Sequence, residues 1–170
     1  MGKRKGKTKK IFKYIFTILV ILFGVIQFIR IDKTNPKVEI AKDFISIYEP
    51  SEKTEKILRT ACYDCHSNET VYPWYSNIAP VSWWLKDHVD DGRKHLNFSI
   101  WGDYKAKKAN HKLHECAEEL EEDKMPLNSY TLTHGDAKLS TTQKEELAEW
   151  FESLMTEEDE EEDEEHDHEH

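Results

Sequence analysis

The sequence predicts an all-α protein, with a membrane-spanning helix at its N-terminus and one small helical domain behind it. Three observations carry that reading. Apolar residues recur with the helical period in four stretches, strand-type alternation is nearly absent, and a long apolar run follows a basic start. A chain of 170 residues allows one ordinary domain and little else. That length excludes a multidomain enzyme and a polytopic transporter.

Charge gathers at the two ends. Residues 1–10 carry six Lys/Arg and no acid, whereas residues 157–170 carry eleven Asp/Glu and three His, within a net charge of −10. The middle that remains is mildly acidic, which argues against a nucleic-acid binder. Three cysteines are too few for a disulfide-stapled scaffold.

The nineteen residues Ile11–Ile29 hold only two strongly polar members, Lys13 and Gln27. As a helix such a run rises about 28 Å, close to the hydrocarbon thickness of a bilayer. Lys13 can snorkel to the headgroups. No small-x-small cleavage site follows, so an uncleaved anchor is expected in place of a signal peptide. Basic residues precede the run and are sparse after it, which holds the N-terminus in the cytoplasm and sends the rest to the periplasm. The expected organisation is a basic cytoplasmic segment (1–10), an anchor in the cytoplasmic membrane (11–30), a tether containing Pro36 and Pro50 (31–50), the working domain (51–156) and a disordered acidic, His-bearing tail (157–170).

Within the domain, Ser51 can cap a helix reaching about Cys65, with Ile57, Leu58 and Ala61 on one face. Residues 71–80, with Pro73, Asn77 and Pro80, read as an aromatic loop. Val81, Trp84, Leu85, His88 and Val89 form a stripe on a helix ending near Gly92. Residues 104–122 give a third helix, broken at Met125-Pro126, and Ser140–Gln143 form a capping box for a last one carrying Leu147, Trp150, Phe151 and Leu154. Short helices between long loops are a thin basis for a core of this size, so a further group is expected in the middle.

Cys62-Tyr63-Asp64-Cys65-His66 names that group. Residues i, i+3 and i+4 share one helix face, which suits two thioether bonds to a porphyrin's vinyl groups and one imidazole on its iron. The pentapeptide is the attachment signature of a c-type haem. Zinc would need a fourth ligand and ordinarily a second paired cluster, and a Cys62–Cys65 redox pair lacks its βαβ setting. Cys116, between Leu113 and Leu120, reads as a small buried hydrophobe.

Met125, held in an extended segment by Pro126, is the leading sixth ligand, with His88 as runner-up; His95, His111, His114 and His134 are further histidines. Trp74, Tyr75, Trp83 and Trp84, with Tyr72 and Trp101, are candidate walls for a flat apolar plate. The second ring nitrogen of His66 also needs an acceptor, for which carbonyls in the Ile78-Ala79-Pro80 turn are candidates.

The order of these features resembles class I cytochromes c. More narrowly, residues 61–70, Tyr72-Pro73-Trp74-Tyr75, residues 78–84 and Met125-Pro126-Leu127 are similar to the haem-binding domain family of membrane-anchored bacterial proteins, over about residues 11–155. The resemblance implies a small helical fold around one covalent haem c, attached at Cys62 and Cys65, with His66 proximal and Met125 distal. The expected function is single-electron transfer with redox partner proteins at the periplasmic face, a carrier more than an enzyme. The alternative is a peroxidase-like or ligand-binding site with an open sixth position, or a sensor subunit of a larger membrane complex.

Overall fold

A computed structural model describes residues 3–156, with side chains from Lys9 onward. The acidic tail (157–170) lies outside the described residues. Every regular element among the described residues is an α-helix or a short 3₁₀ turn. The expected helical class agrees with this. The chain forms two compact units, one of residues up to Thr34 with Tyr72–Asp90, the other of Asn35–Val71 with the chain from Asp91.

The first unit contains α1 (Lys3–Ile26), the 3₁₀ turn Trp74–Asn77 and the start of α5 (Val81–His95). Helix α1 corrects the expected anchor. Lys9, Lys10 and Lys13 lie inside it and it stops at Ile26, so its charge-free stretch, Tyr14–Ile26, rises only about 20 Å against the roughly 30 Å of a bilayer core. Among the described residues no helix is long and apolar enough to cross a membrane. The expectation of a spanning helix over 11–30 therefore fails. The helix ends where Gln27 turns to other partners: its amide donates to the carbonyls of Phe23 (3.0 Å) and Ala79 (2.9 Å) and accepts from the Ala79 N–H (2.9 Å). Trp83 Nε1 donates to the Ile29 carbonyl and Lys33 to Asn77, so the segment after α1 is stitched to the 72–83 stretch.

The second unit carries α2 (Phe44–Tyr48), α3 (Glu52–Ala61), α4 (Tyr63–His66), the end of α5, α6 (Ala106–Glu121), α7 (Asn128–Thr131) and α8 (Thr141–Ser153). Capping follows the side chains: Asp43 accepts from the Ile45 N–H, Ser51 from Thr54, and Ser140 and Gln143 complete the expected capping box. Leu113, Ala117 and Leu120 of α6 meet Leu147, Ala148 and Phe151 of α8 in one core. Phe44 is fully buried at its centre, with Trp101 at 4.6 Å, Phe98 at 4.8 Å and Phe151 at 6.0 Å between ring centroids. This corrects the expected tether over 31–50, whose Phe44 and Ile45 are core residues. The Pro36 and Pro50 signals mark segment ends, and the apolar residues between them pack. Trp101, a candidate wall by sequence, also belongs to this aromatic core.

Candidate functional site

The helix expected from Ser51 to Cys65 is two helices in the structure. Helix α3 ends at Ala61, Cys62 turns out of helical geometry (φ −123°), and α4 completes one further turn. The His66 N–H still bonds the Cys62 carbonyl at 2.9 Å and that of Cys65 does so at 3.2 Å, so Cys62, Cys65 and His66 stand on one short turn. Between them, Tyr63 and Asp64 fasten that turn from both sides. Tyr63 stacks on Phe98 (5.3 Å, 6° between planes) and donates its hydroxyl to the buried Asp43 carboxylate at 3.1 Å. Asp64 accepts from the Val71 N–H (2.9 Å) and from the Tyr130 hydroxyl (2.7 Å), which also reaches the Thr60 carbonyl (3.2 Å). A hydrogen bond to a carboxylate that is only half-buried is worth about 1 kcal/mol. Tyr130→Phe is therefore expected to lower stability by about that amount, read from the urea midpoint.

His66 is oriented from behind. Its Nδ1 faces the carbonyls of Gly92 (3.0 Å) and Leu96 (3.3 Å) at the C-terminal end of α5. Two acceptors fix the tautomer with hydrogen on Nδ1 and leave the Nε2 lone pair free. Burial holds the imidazole pKa below its usual value, so the ring is neutral and basic at neutral pH. The expected acceptors at Ile78-Ala79-Pro80 are not the ones used; the Ala79 carbonyl is taken by Gln27. Gly92 lies inside α5 and does not end it, because a Cβ there would stand 2.6 Å from the Cys65 carbonyl oxygen. Only glycine lets α5 approach this closely.

The two thiols are free and half-buried. Burial pushes Cys62 up to about 12, the neighbouring Cys65 adding to it, and pushes Cys65 up to about 11, Asp64 adding and Arg93 opposing. Both are protonated at neutral pH. Among the described residues no group of three or more His, Cys, Asp and Glu is arranged to hold a metal ion. An imidazole oriented through Nδ1, on the same turn as two thiols, fits a porphyrin carrying its own iron. Cys116, expected to be buried, is only partly buried where it packs against the edge of the core, and its thiol is pushed up by desolvation.

The other expected site residues fall in two places. Met125 belongs to the second unit, like the motif: after α6 the chain turns through Asp123 (φ 58°), and the N–H groups of Lys124 and Met125 both bond the Glu119 carbonyl at 3.0 Å. Its side chain is half-buried. Trp74, Tyr75, Trp83 and Trp84 belong to the first unit, where Trp74 is 75% and Trp84 46% exposed and Tyr75 and Trp83 are half-buried. His88, also there, stacks on Trp84 (4.2 Å) and its Nδ1 bonds the Trp84 carbonyl at 2.8 Å.

A family model described as a haem-binding domain matches residues 21–153. The chain belongs to the haem-binding domain family. No curated protein and no solved structure matches it. This haem-binding domain has site residues that sequence reasoning passed over: Gly92, Arg93, Asn68 and Asn97. Asn68 donates its amide to the Lys37 carbonyl, accepts from Asn97 (2.9 Å) and donates its backbone N–H to Ser99 Oγ (3.0 Å), which pins the chain leaving His66. A glycine inside an otherwise helical pattern was the one signal available for them.

Proposed function

We propose that the domain is a monohaem c-type cytochrome of class I type, carrying single electrons between redox partner proteins outside the cytoplasm. The observation that carries this reading is His66, oriented through Nδ1, on the same turn as the two thiols of Cys62 and Cys65. Cys62 and Cys65 would hold the haem by thioether bonds, each thiol adding across one vinyl group with its proton going to the adjacent carbon. His66 Nε2 would take the proximal iron position and Met125 Sδ the distal one. Haem supplies a one-electron couple, tuned by its axial ligands and surroundings. The protein's own residues do the rest. The α5 carbonyls orient the imidazole and strengthen it as a donor, the core beneath Tyr63 keeps the turn rigid, and the mild acidity suits docking to basic patches on partners. The extracytoplasmic placement rests on covalent attachment, which takes place there.

Expression with and without a cytochrome c maturation system, followed by intact mass, tests attachment. The expected result is one added haem with the system present and none with Cys62→Ala, Cys65→Ala. Colourless protein with both thiols open to alkylation would refute it. Met125→Ala is expected to abolish the weak long-wavelength band that marks methionine–iron bonding in the oxidised protein and to open the site to carbon monoxide. Fast carbon monoxide binding by the wild type would instead support the open-site reading.

A further inference from the structure

Arg93 stands beside the attachment turn with unusual company. Its Nε donates to the carbonyl of Ser67, the residue after His66, at 2.6 Å. Its Nη2 donates to Asn35 Oδ1 at 2.7 Å and to Thr70 Oγ1 at 2.8 Å. All three acceptors are neutral, the side chain is half-buried, and none of the ion pairs among the described residues includes it. Half-buried arginines ordinarily pair with a carboxylate. Here the fork is satisfied and the charge is not. The preceding residue, Gly92, gives its carbonyl to His66, so the cation and the imidazole are held by one turn of α5.

We propose that Arg93 is a positioning residue whose unneutralised guanidinium, clamped by Ser67, Thr70 and Asn35, raises the reduction potential of the group bound at Cys62, Cys65 and His66. This rests on the function proposed above. The physical reason is Coulombic. The oxidised iron carries one more positive charge than the reduced iron, and a fixed, half-buried cation destabilises the oxidised form more. A lysine would keep the charge and lose the three-point clamp; a glutamine would keep bulk and polarity and lose the charge.

The test is a dithionite titration of the haem-loaded full chain, monitored by absorbance against mediators. Arg93→Gln is expected to shift the oxidised/reduced equilibrium about tenfold toward the oxidised form, a fall of about 59 mV for one electron. Arg93→Lys should stay near wild type. Asn35→Asp, which sets a carboxylate against Nη2 without touching Arg93, should lower the potential as Arg93→Gln does. Wild-type potentials in both Arg93→Gln and Asn35→Asp overturn the proposal, as does an equal fall in Arg93→Lys, which would assign the effect to the clamp. If one neutralising variant fails to load haem, the other decides; if both fail while Arg93→Lys loads, the charge serves folding and the proposal is wrong. Wild-type protein that takes up no covalent haem refutes the proposed function, and this inference falls with it.

Discussion

Gly92→Ala is expected to destabilise the domain by about 1–3 kcal/mol, although it puts the best helix former into a helix interior. Helix propensity alone would favour alanine over glycine by about 1 kcal/mol. Against that stands the new Cβ, 2.6 Å from the Cys65 carbonyl oxygen, 3.1 Å from its carbon and 3.2 Å from Cys65 Cβ. Two of those atoms are backbone of the turn that carries His66, and no flexible side chain is there to swing aside. Helix α5 must therefore move away, taking with it the Gly92 and Leu96 carbonyls that face His66 Nδ1. The expected signature is a lower urea midpoint together with a weakened ligand field in the haem-loaded protein. Gly24→Ala is the internal control. Nothing lies within 4 Å of its Cβ position inside α1, so it should be neutral or slightly stabilising. Equal stability of Gly92→Ala and wild type would show that α5 does not need that close approach.

The same glycine shows where the sequence stopped being readable. Helix periodicity located α6 and α8 within a residue or two, because each has one apolar stripe and local caps or breakers at its ends. The Cys62–His66 motif was legible because its spacing is itself the chemistry. Gly92 read as a helix terminator, since glycine past an amphipathic stripe ordinarily ends a helix, and only the packing of α5 on Cys65 reverses that meaning. The acceptors of His66 were out of reach for the same reason: they are backbone carbonyls, which leave no mark in a sequence. Arg93 looked like any basic residue near a helix C-terminus until its three neutral acceptors came together from Asn35, Ser67 and Thr70. The N-terminal run failed differently. Its composition suits a membrane, but Gln27 pairs with Ala79 and the helix stops before its length does.

Phe44→Ala is expected to be the most damaging single substitution outside the motif, costing about 3–5 kcal/mol, a large share of the roughly 5–15 kcal/mol that holds a native domain together. Phe44 has no exposed surface and touches five aromatic rings, Tyr48, Phe98, Trp101, Trp150 and Phe151, at centroid distances from 4.6 to 6.0 Å. Those partners come from three elements, α2, the 3₁₀ turn Phe98–Asp103 and α8, so the cavity left by alanine would have no single neighbour able to fill it. The consequence extends to the site. Phe98 lies between Phe44 and Tyr63, and Asp43, next to Phe44, holds the Tyr63 hydroxyl. Tyr63 is one of the two residues spacing the cysteines, so loosening Phe44 loosens the floor under Cys62, Cys65 and His66. Chemical unfolding should show the loss of stability, and intact mass should show reduced haem loading in the same preparation. Phe44→Leu, which keeps most of the volume, should recover both in large part. If residues 31–50 were only a spacer, Phe44→Ala would shift the unfolding midpoint by no more than an ordinary surface change, within about 0.5 kcal/mol, and haem loading would be untouched.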